Sequence, residues 1–308
     1  MHVTLRQLTV FESVARNLSF TQAAEELFLS QPAVSMQIKQ LEQNLEVMLL
    51  DRVGKRTYLT ESGREVKATC KRITHLLNEL ETVLDNLKNL KAGKLHLTVA
   101  STANYFLPAI LAVFKQRLPQ ISIALNVTNR KNLLEALDDN DVDLVIMGQP
   151  PEDRDLEAGV FALNPLVIVA NSDHELAAQS RVPLQRLKDE IFLVREQGSG
   201  TRIAMERFFH EQGIRMKTGM VADSNEAIKQ SVAAGLGLGL LSHDTLAMEL
   251  QLNYLTILDV IDMPIIRKWH IVHRAGKRLS RSAAVFKDFL LDEGETILGG
   301  PDRFASQT

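Results

Sequence analysis

One apolar repeat in the first third of the chain restricts its possible folds more than any other feature. From residue 66 to residue 90, a seam position falls every three or four residues. Such a narrow seam is typical of a helix that pairs with a second helix. Its apolar members are Val66, Ile73, Leu76, Leu80, Val83, Leu87 and Leu90. With a capping spacing at Ser62 and Glu65, this predicts a dimerisation helix over residues 61–91; packing against its own domain is the alternative.

Composition places the chain among globular proteins with more than one domain. Of its 308 residues, 45% are hydrophobic and 24% are charged, which is enough to build buried cores. The single cysteine, Cys70, excludes an intrachain disulfide framework and a four-cysteine zinc site. No secretion signal and no apolar stretch of about 18 residues is present in the sequence. We therefore expect a cytoplasmic protein that is neither secreted nor membrane-spanning.

The first sixty residues predict three helices followed by a hairpin. Thr4 and Ser19 each precede a glutamine by three residues, a spacing that caps helix starts, and Pro32 suits the first turn of a third helix. That helix turns amides, hydroxyls and a lysine outward, and such groups hydrogen-bond base edges in the DNA major groove. A turn at Gly54 joins two short strands that suit a wing on the phosphate backbone. A three-helix bundle with a polar surface is the alternative.

Charge is divided unevenly along the chain. The net charge of −3 comprises +2 over residues 1–94 and −5 over the remainder. Residues 52–72 hold seven lysines and arginines against two glutamates. A basic stripe of this kind contacts phosphate backbones, although a solvated helix face is the simpler alternative.

Beyond residue 94 the pattern changes to short apolar strands that alternate with helices, which predicts an α/β fold. The predicted strands are residues 95–102, 121–128, 143–148, 165–171, 191–196 and 236–242. Polar residues follow these strands where helices begin, and ligands of open α/β sheets bind at such strand ends. The predicted effector-binding residues are Ser101, Thr102, Thr128, Asn129, Arg130, Gln149, Ser199, Thr201, Arg202 and Asn225. Taken singly, each of these clusters is better explained by helix capping than by ligand contact, but several around one cleft favour a ligand site.

Enzyme and metal motifs are absent from the sequence. It contains no glycine-rich nucleotide-binding motif, no H-E-x-x-H and no G-x-S-x-G. His270 and His273 stand three apart in a predicted strand and point to opposite faces, so they do not share a metal ion. We therefore predict no enzyme activity, no catalytic residues, no metal and no cofactor other than a small-molecule effector.

The run FTQAAEELFLSQPAVSMQIKQLEQNLEVMLLDRVGKRTYLTESG, with the length and layout of the chain, resembles the winged helix-turn-helix of LysR-type transcriptional regulators. The DNA-binding residues that this resemblance implies are Ser30, Gln31, Pro32, Ser35, Met36, Lys39, Arg52, Lys55 and Arg56. Three positions depart from the residues common in the family, namely Met36, Glu46 and Leu50. Met36 suits contact with a thymine methyl group where arginine would read guanine.

The resemblance also implies a domain layout and partners. A winged helix-turn-helix over residues 1–60 is followed by the linker helix 61–91, which pairs two subunits antiparallel. A periplasmic-binding-protein-like effector domain covers 92–298, and residues 299–308 form a mobile tail. Its subdomain I is 92–163 with 266–298 and subdomain II is 164–265. The crossovers are expected near Asn164-Pro165 and Pro264-Ile266, because these prolines interrupt the strand and helix pattern. Implied partners are a dyad-symmetric double-stranded DNA operator, further copies in a homodimer or homotetramer, and RNA polymerase.

A narrower resemblance concerns the effector. TNRKNLLEAL, IMGQPP and VREQGSGTR resemble the regulators of RuBisCO operons, which control carbon dioxide fixation. This implies an activator that responds to a phosphorylated sugar or acid, with Arg130 and Arg202 as phosphate ligands. Gln149 stands where arginine is frequent in that branch. A regulator of another operon with a carboxylate effector, or an α/β binding protein or enzyme without DNA function, stays open.

Overall fold

The structure is a computed structural model that describes residues 3–54, 56–88, 93–140 and 142–300. The chain divides into two compact units, Met1–Leu84 and Asp85–Thr308. In the described ranges, no helix is long and apolar enough to span a membrane. The predicted tail lies outside the described residues from residue 301 onward, and the predicted domain boundaries stay predictions.

The first unit contains a three-helix domain, a hairpin and the start of a long helix. Its elements are α1 (Leu5–Asn17), α2 (Phe20–Glu26), α3 (Gln31–Leu45), β1 (Leu50–Val53), β2 (Arg56–Leu59) and α4 (Glu61–Lys88). The apolar faces of the three helices converge on a core that includes Phe11, Val14, Val34 and Leu41, all fully buried. Strands β1 and β2 pair antiparallel on either side of Gly54, whose φ of +64° suits glycine. The winged helix-turn-helix fold is therefore confirmed.

Side-chain caps set the starts of these helices. Thr4 and Gln7 form the predicted reciprocal pair, with N···O distances of 3.0 and 3.2 Å. The predicted cap of α4 at Ser62 is wrong, because Thr60 takes that role. The Thr60 hydroxyl accepts the Gly63 N–H at 2.9 Å and donates to the Met48 carbonyl, between α3 and β1, at 2.7 Å. Ser62 lies inside the helix, where its spacing to Glu65 has no capping function.

The second unit is an α/β structure. Its strands are β3 (Lys94–Ala100), β4 (Ser122–Thr128), β5 (Leu144–Met147), β6 (Leu156–Asn171), β7 (Ile191–Arg195), β8 (Lys217–Ala222), β9 (Leu238–Ser242), β10 (Leu255–Ile257) and β11 (Ile265–Arg274). Its helices are α5 (Leu107–Arg117), α6 (Arg130–Asp138), α7 (Gly200–Glu211), α8 (Asn225–Ala233), α9 (Ala247–Gln251) and α10 (Arg281–Ile297). Short 3₁₀ turns cover Ser101–Tyr105, Leu184–Asp189 and His243–Thr245. The predicted fold class is confirmed.

Two long antiparallel strands connect the halves of this unit. The order of the sheet is β4-β3-β5-β11-β6-β9-β7-β8, and β10 pairs with β6. Parallel strands β4, β3 and β5 lie on one side of β6 and β11, and the parallel trio β8, β7 and β9 lies on the other. Trp269 and Phe286 belong to the core of the first half, and Phe192 and Phe209 to that of the second. The carboxyl ends of both trios meet at one cleft.

The two prolines at the predicted crossovers do not interrupt the long strands. Pro165 lies inside β6, which runs 16 residues without a break, and Pro264 directly precedes β11. Pro165 is tolerated within β6 although it donates no ladder hydrogen bond. The chain therefore passes between the halves within extended strands rather than at pattern breaks. Strands β8, β10 and the first half of β6 were not predicted, because their residues lack a continuous apolar run.

Candidate DNA-binding face and anion cleft

The exposed face of α3 carries most of the predicted DNA-binding residues. Gln31, Pro32 and Lys39 are exposed, and Met36 is 60% exposed. The Gln31 side-chain N–H donates to the Ser35 hydroxyl at 2.9 Å, so these side chains orient each other one turn apart. This face offers amide and hydroxyl groups, a cation and a methyl group, which are the groups that read base edges.

Ser30 has a structural role at the start of this helix. Its hydroxyl accepts the backbone N–H of Ala33 at 3.4 Å and caps α3. Ahead of it, Phe28 in the turn between α2 and α3 is 96% exposed and has a φ of +54°. Phe28 gives no signal in the sequence, because a single aromatic residue in a short turn forms no pattern.

One carboxylate connects helix α3 to the wing. The Glu42 carboxylate near the end of α3 accepts the N–H groups of Leu49 and Leu50 at 2.8 and 3.2 Å, which fixes the first strand of the wing to the helix. On β2, Arg56 is exposed, as a contact with phosphate would require. The Arg52 side chain and Lys55 lie outside the described residues.

The seam of α4 divides into a covered and an uncovered part. Cys70 is buried and Val66 is half-buried against the core of the first unit, and burial raises the pKa of the Cys70 thiol to about 11. Further along, Ile73 is half-buried, whereas Leu76 and Leu80 are 62% and 53% exposed. The side chains of Val83 and Leu87, and the whole of Leu90, lie outside the described residues.

The cleft of the second unit lies where strand ends from both halves meet. It encloses about 510 Å³, including its open mouth. Seven of the predicted effector-binding residues line it: Ser101, Thr102, Thr128, Asn129, Arg130, Ser199 and Thr201. Asn129 also caps α6 by accepting the Asn132 N–H at 3.0 Å, so capping and lining coincide here.

Two guanidinium groups give the cleft its electrostatic character. Arg130 donates to the carbonyl of Gln149 at 2.7 Å, and Arg267 on β11 donates to the carbonyl of Gly200 at 2.8 Å. Burial lowers the pKa of Arg130, and it lowers the pKa of Arg267 to about 10 with a further contribution from the Arg130 charge. Across the described residues, neither guanidinium forms an ion pair with a carboxylate. The cleft therefore holds positive charge that an anion would neutralise.

Helix starts add hydrogen-bond donors to the same cleft. Ser199 precedes α7 without capping it through its side chain, and both Ser199 and Thr201 are buried. The positive end of the α7 dipole thus faces the cleft at Gly200. Gly148 also lines it, and a β-carbon there would lie 2.5 Å from the Arg267 guanidinium. Glycine at this position leaves the space that the Arg267 side chain occupies.

Three predicted effector-binding residues do not line the cleft. Arg202, proposed as a phosphate ligand, instead donates to Glu206 at 2.7 Å and to the Arg195 carbonyl at 3.1 Å. Gln149 is exposed and contributes its backbone carbonyl to Arg130. Asn225 is buried behind the lining, between residues of the two halves. The structure departs from the prediction for Arg202 because the first turn of α7 directs its side chain toward Glu206.

Several lining residues were missed by the sequence analysis. Arg267, Asn164 and Trp269 come from the long strands, and Arg195 and Glu196 from the end of β7. Arg195 is 4% exposed and forms a two-pronged ion pair with Glu196 at 2.8 and 3.1 Å, so its charge is already neutralised. The sequence contains one indication that Arg267 lies at the cleft, which is its position directly after the predicted crossover at Pro264-Ile266. Within the described ranges, no cluster of three His, Cys, Asp or Glu residues could hold a metal.

Comparison with known families identifies both units. Residues 5–64 match the bacterial regulatory helix-turn-helix proteins of the lysR family, and residues 88–295 match the LysR substrate binding domain. The chain belongs to the LysR family of transcriptional regulators. The predicted family is therefore confirmed, and the helix-turn-helix is its DNA-binding part.

Several known proteins are similar to this LysR-family chain, over nearly its whole length or over 65% of it. The RuBisCO operon transcriptional regulator of Allochromatium vinosum is 51% identical over 293 residues, which cover 95% of this chain and 97% of the relative. The regulatory domain of Synechocystis PCC6803 CcmR, solved in complex with 2-PG, is 42% identical with a TM-score of 0.63 and covers 65% of this chain and 96% of that one. Full-length CbnR with its target DNA, at 20% identity and a TM-score of 0.72 over 94% of this chain and 99% of that one, shares the fold.

Proposed function

We propose that this LysR-family regulator activates genes of carbon dioxide fixation, and that a small phosphorylated metabolite in the cleft between Arg130 and Arg267 changes how it binds and bends its operator. The observation that carries the effector class is a pair of guanidinium groups, Arg130 and Arg267, that have no carboxylate partner among the residues the structure describes. Similarity to RuBisCO operon regulators, and to a regulatory domain solved with 2-PG, supports the gene class and the phosphate.

A phosphorylated acid fits the chemistry of the cleft better than a neutral ligand. A guanidinium forms two parallel hydrogen bonds with phosphate or carboxylate, and these hydrogen bonds are stronger where water is excluded. The hydroxyls of Ser101, Ser199 and Thr201 and the start of α7 supply further donors around the same space. A carboxylate effector without phosphate is the second candidate, because the same donors would bind it.

The remaining parts of the proposal concern assembly and location. We propose that α4 pairs two copies, that dimers join as a tetramer on a dyad-symmetric operator, and that RNA polymerase is a further partner. The protein then acts in the cytoplasm, where its operator is, and it needs neither enzymatic activity nor a cofactor.

The test titrates 2-phosphoglycolate, glycolate and phosphate-free dicarboxylates into the full chain on its own upstream intergenic DNA, and compares two matched variants. Arg267→Met removes the guanidinium that lies in the cleft, whereas Arg202→Met removes one that faces Glu206. We expect Arg267→Met to weaken the effect of 2-phosphoglycolate about tenfold or more, as loss of a charged hydrogen bond does, and Arg202→Met to change it less than about threefold.

The outcomes separate the two candidate effectors and test the site. A DNA response to the dicarboxylates with none to phosphate esters would replace the phosphorylated effector with a carboxylate. Equal losses in Arg267→Met and Arg202→Met would overturn the assignment of the cleft. Circular dichroism measures the unfolding temperature of each variant, and values equal to that of the wild type would show that misfolding is not the cause of any loss.

A further inference from the structure

Asn225 connects the two halves of the cleft from behind its lining. The residue is 3% exposed and is the first residue of α8. Its side-chain Oδ1 accepts a hydrogen bond from Arg195 Nη1 at 2.5 Å, and its Nδ2 donates to the Thr102 hydroxyl at 3.1 Å. Arg195 ends β7 in the second half, and Thr102 belongs to the 3₁₀ turn after β3 in the first. A chain of two buried hydrogen bonds thus crosses from one half to the other.

The chemistry of Arg195 fixes the direction of these hydrogen bonds. A guanidinium can only donate, so the amide oxygen of Asn225 must face it. The amide nitrogen of Asn225 then faces Thr102, and because this nitrogen can only donate, the Thr102 hydroxyl must accept. The orientation of the amide therefore follows from its partner.

An accepting hydroxyl keeps its own hydrogen for another partner. Thr102 lines the cleft, and none of the described residues accepts a hydrogen bond from its hydroxyl. With the oxygen held by Asn225, the hydroxyl hydrogen is available to an acceptor inside the cleft. An anion is such an acceptor, because a fully ionised phosphate or carboxylate oxygen has no hydrogen to donate.

We propose that Asn225 is a positioning residue that makes the cleft selective for anions, by fixing Thr102 as a donor to the effector. The proposal rests on the proposed function, since it concerns the same cleft. Asn225 does not itself contact the effector, in contrast to the role predicted from the sequence. The relay of donors runs from Arg195 through Asn225 and Thr102 to the bound anion.

Replacing the amide with an isosteric carboxylate reverses the relay. In Asn225→Asp both side-chain oxygens accept, so Thr102 must donate its hydrogen to Asp and loses it for the effector. Asn225→Ala removes both hydrogen bonds but leaves the Thr102 hydroxyl free to turn toward the cleft. The relay therefore makes the Asp variant the weaker binder, whereas a merely structural role makes the Ala variant the weaker one.

The experiment measures 2-phosphoglycolate binding to the full chain by isothermal titration calorimetry. We expect Asn225→Asp to weaken binding about tenfold or more and Asn225→Ala to weaken it about threefold. The same Asp substitution is then made in a Thr102→Val background, where no hydroxyl remains to be redirected. There its additional effect should fall below about threefold, whereas plain charge repulsion by Asp would persist in full.

The possible results distinguish a failure of the relay from a failure of the proposed effector class. If the wild type binds 2-phosphoglycolate but Asn225→Ala weakens binding at least as much as Asn225→Asp, the relay is overturned. The proposed function then stays intact. An undiminished effect of the Asp substitution in the Thr102→Val background also overturns the relay, in favour of charge repulsion. A wild type that binds neither 2-phosphoglycolate nor the other anions of the panel overturns the proposed effector class together with the relay.

Discussion

At the scale of single residues, buried charges in the second unit separate into those that are paired and those that are available to a ligand. Lys229 on α8 is 4% exposed and forms ion pairs with Glu249 at 2.6 Å and Glu226 at 3.0 Å. Burial opposes its charge, but hydrogen bonds to these carboxylates raise the pKa of Lys229 overall. Its ammonium also lies 4.6 Å from the centre of the Tyr105 ring. Arg130 and Arg267 have no such carboxylates in the described part of the chain, and this difference distinguishes a ligand site from a structural one.

The paired lysine gives a prediction about stability. Lys229→Met leaves the Glu249 carboxylate, 14% exposed, without its cation, and breaking a buried pair in this way costs about 3–5 kcal/mol of unfolding free energy. Lys217→Met is the matched control, because its ion pair with Asp189 spans 3.6 Å with both side chains more than half exposed. That variant should lose about 1 kcal/mol or less. Urea denaturation of each variant measures the difference, and equal losses would show that burial does not govern these pairs.

At the scale of elements, helix α4 has two functions along its length. Its first turns complete the core of the DNA-binding unit through Val66 and Cys70. The leucines of its later turns, Leu76, Leu77 and Leu80, are exposed. Exposed leucines at helical spacing are energetically costly in water and favour burial against a second helix. The alternative of packing against its own domain therefore applies to the start of the seam only.

This division of α4 predicts the effect of changing its leucines. Leu76→Glu combined with Leu80→Glu should place charge in the seam between two copies and reduce the mass of the assembly in solution by at least half. Leu252→Glu is the control, since that leucine is equally exposed, at 61%, but lies outside α4. Analytical ultracentrifugation measures the mass of each variant. An unchanged mass in the double variant would mean that copies associate through another surface.

At the scale of the whole molecule, regulation requires that the cleft and the DNA-binding face influence each other. An effector changes operator affinity only to the extent that it binds one arrangement of the assembly better than another. The coupling free energy is the same in both directions for binding at equilibrium. If the effector changes operator affinity, operator DNA must change effector affinity by an equal factor.

That reciprocity is the prediction for the complete regulator. We expect 2-phosphoglycolate to change operator affinity by about 5- to 150-fold, the usual range for such coupling. The dissociation constant of 2-phosphoglycolate, measured with and without saturating operator duplex, should change by the same factor. DNA of unrelated sequence serves as the control, and unequal factors would indicate that effector and operator act on different assemblies.

Local patterns in the sequence were sufficient for the parts of the fold that local physics controls. The capping spacing at Thr4, the apolar face of α3 and the turn at Gly54 each involve residues a few positions apart, so helix and hairpin could be predicted. The alternation of strands and helices beyond residue 94 gave the α/β class for the same reason. Among the polar residues that follow the predicted strands, seven line the cleft as expected.

Tertiary structure decided what depends on residues far apart in the chain. Arg267 reaches the cleft because β11 pairs antiparallel with β6 and its side chain lies against Gly148 and Gly200, a placement that no spacing in the sequence records. Arg202 satisfies every local criterion for an anion ligand, but the direction of its helix turns it to Glu206. The sequence by itself therefore determined the family, most of the helices and strands, and the positive character of the site. Which side chains provide that charge was decided by packing, because side-chain direction is set by neighbours that only the folded chain brings together.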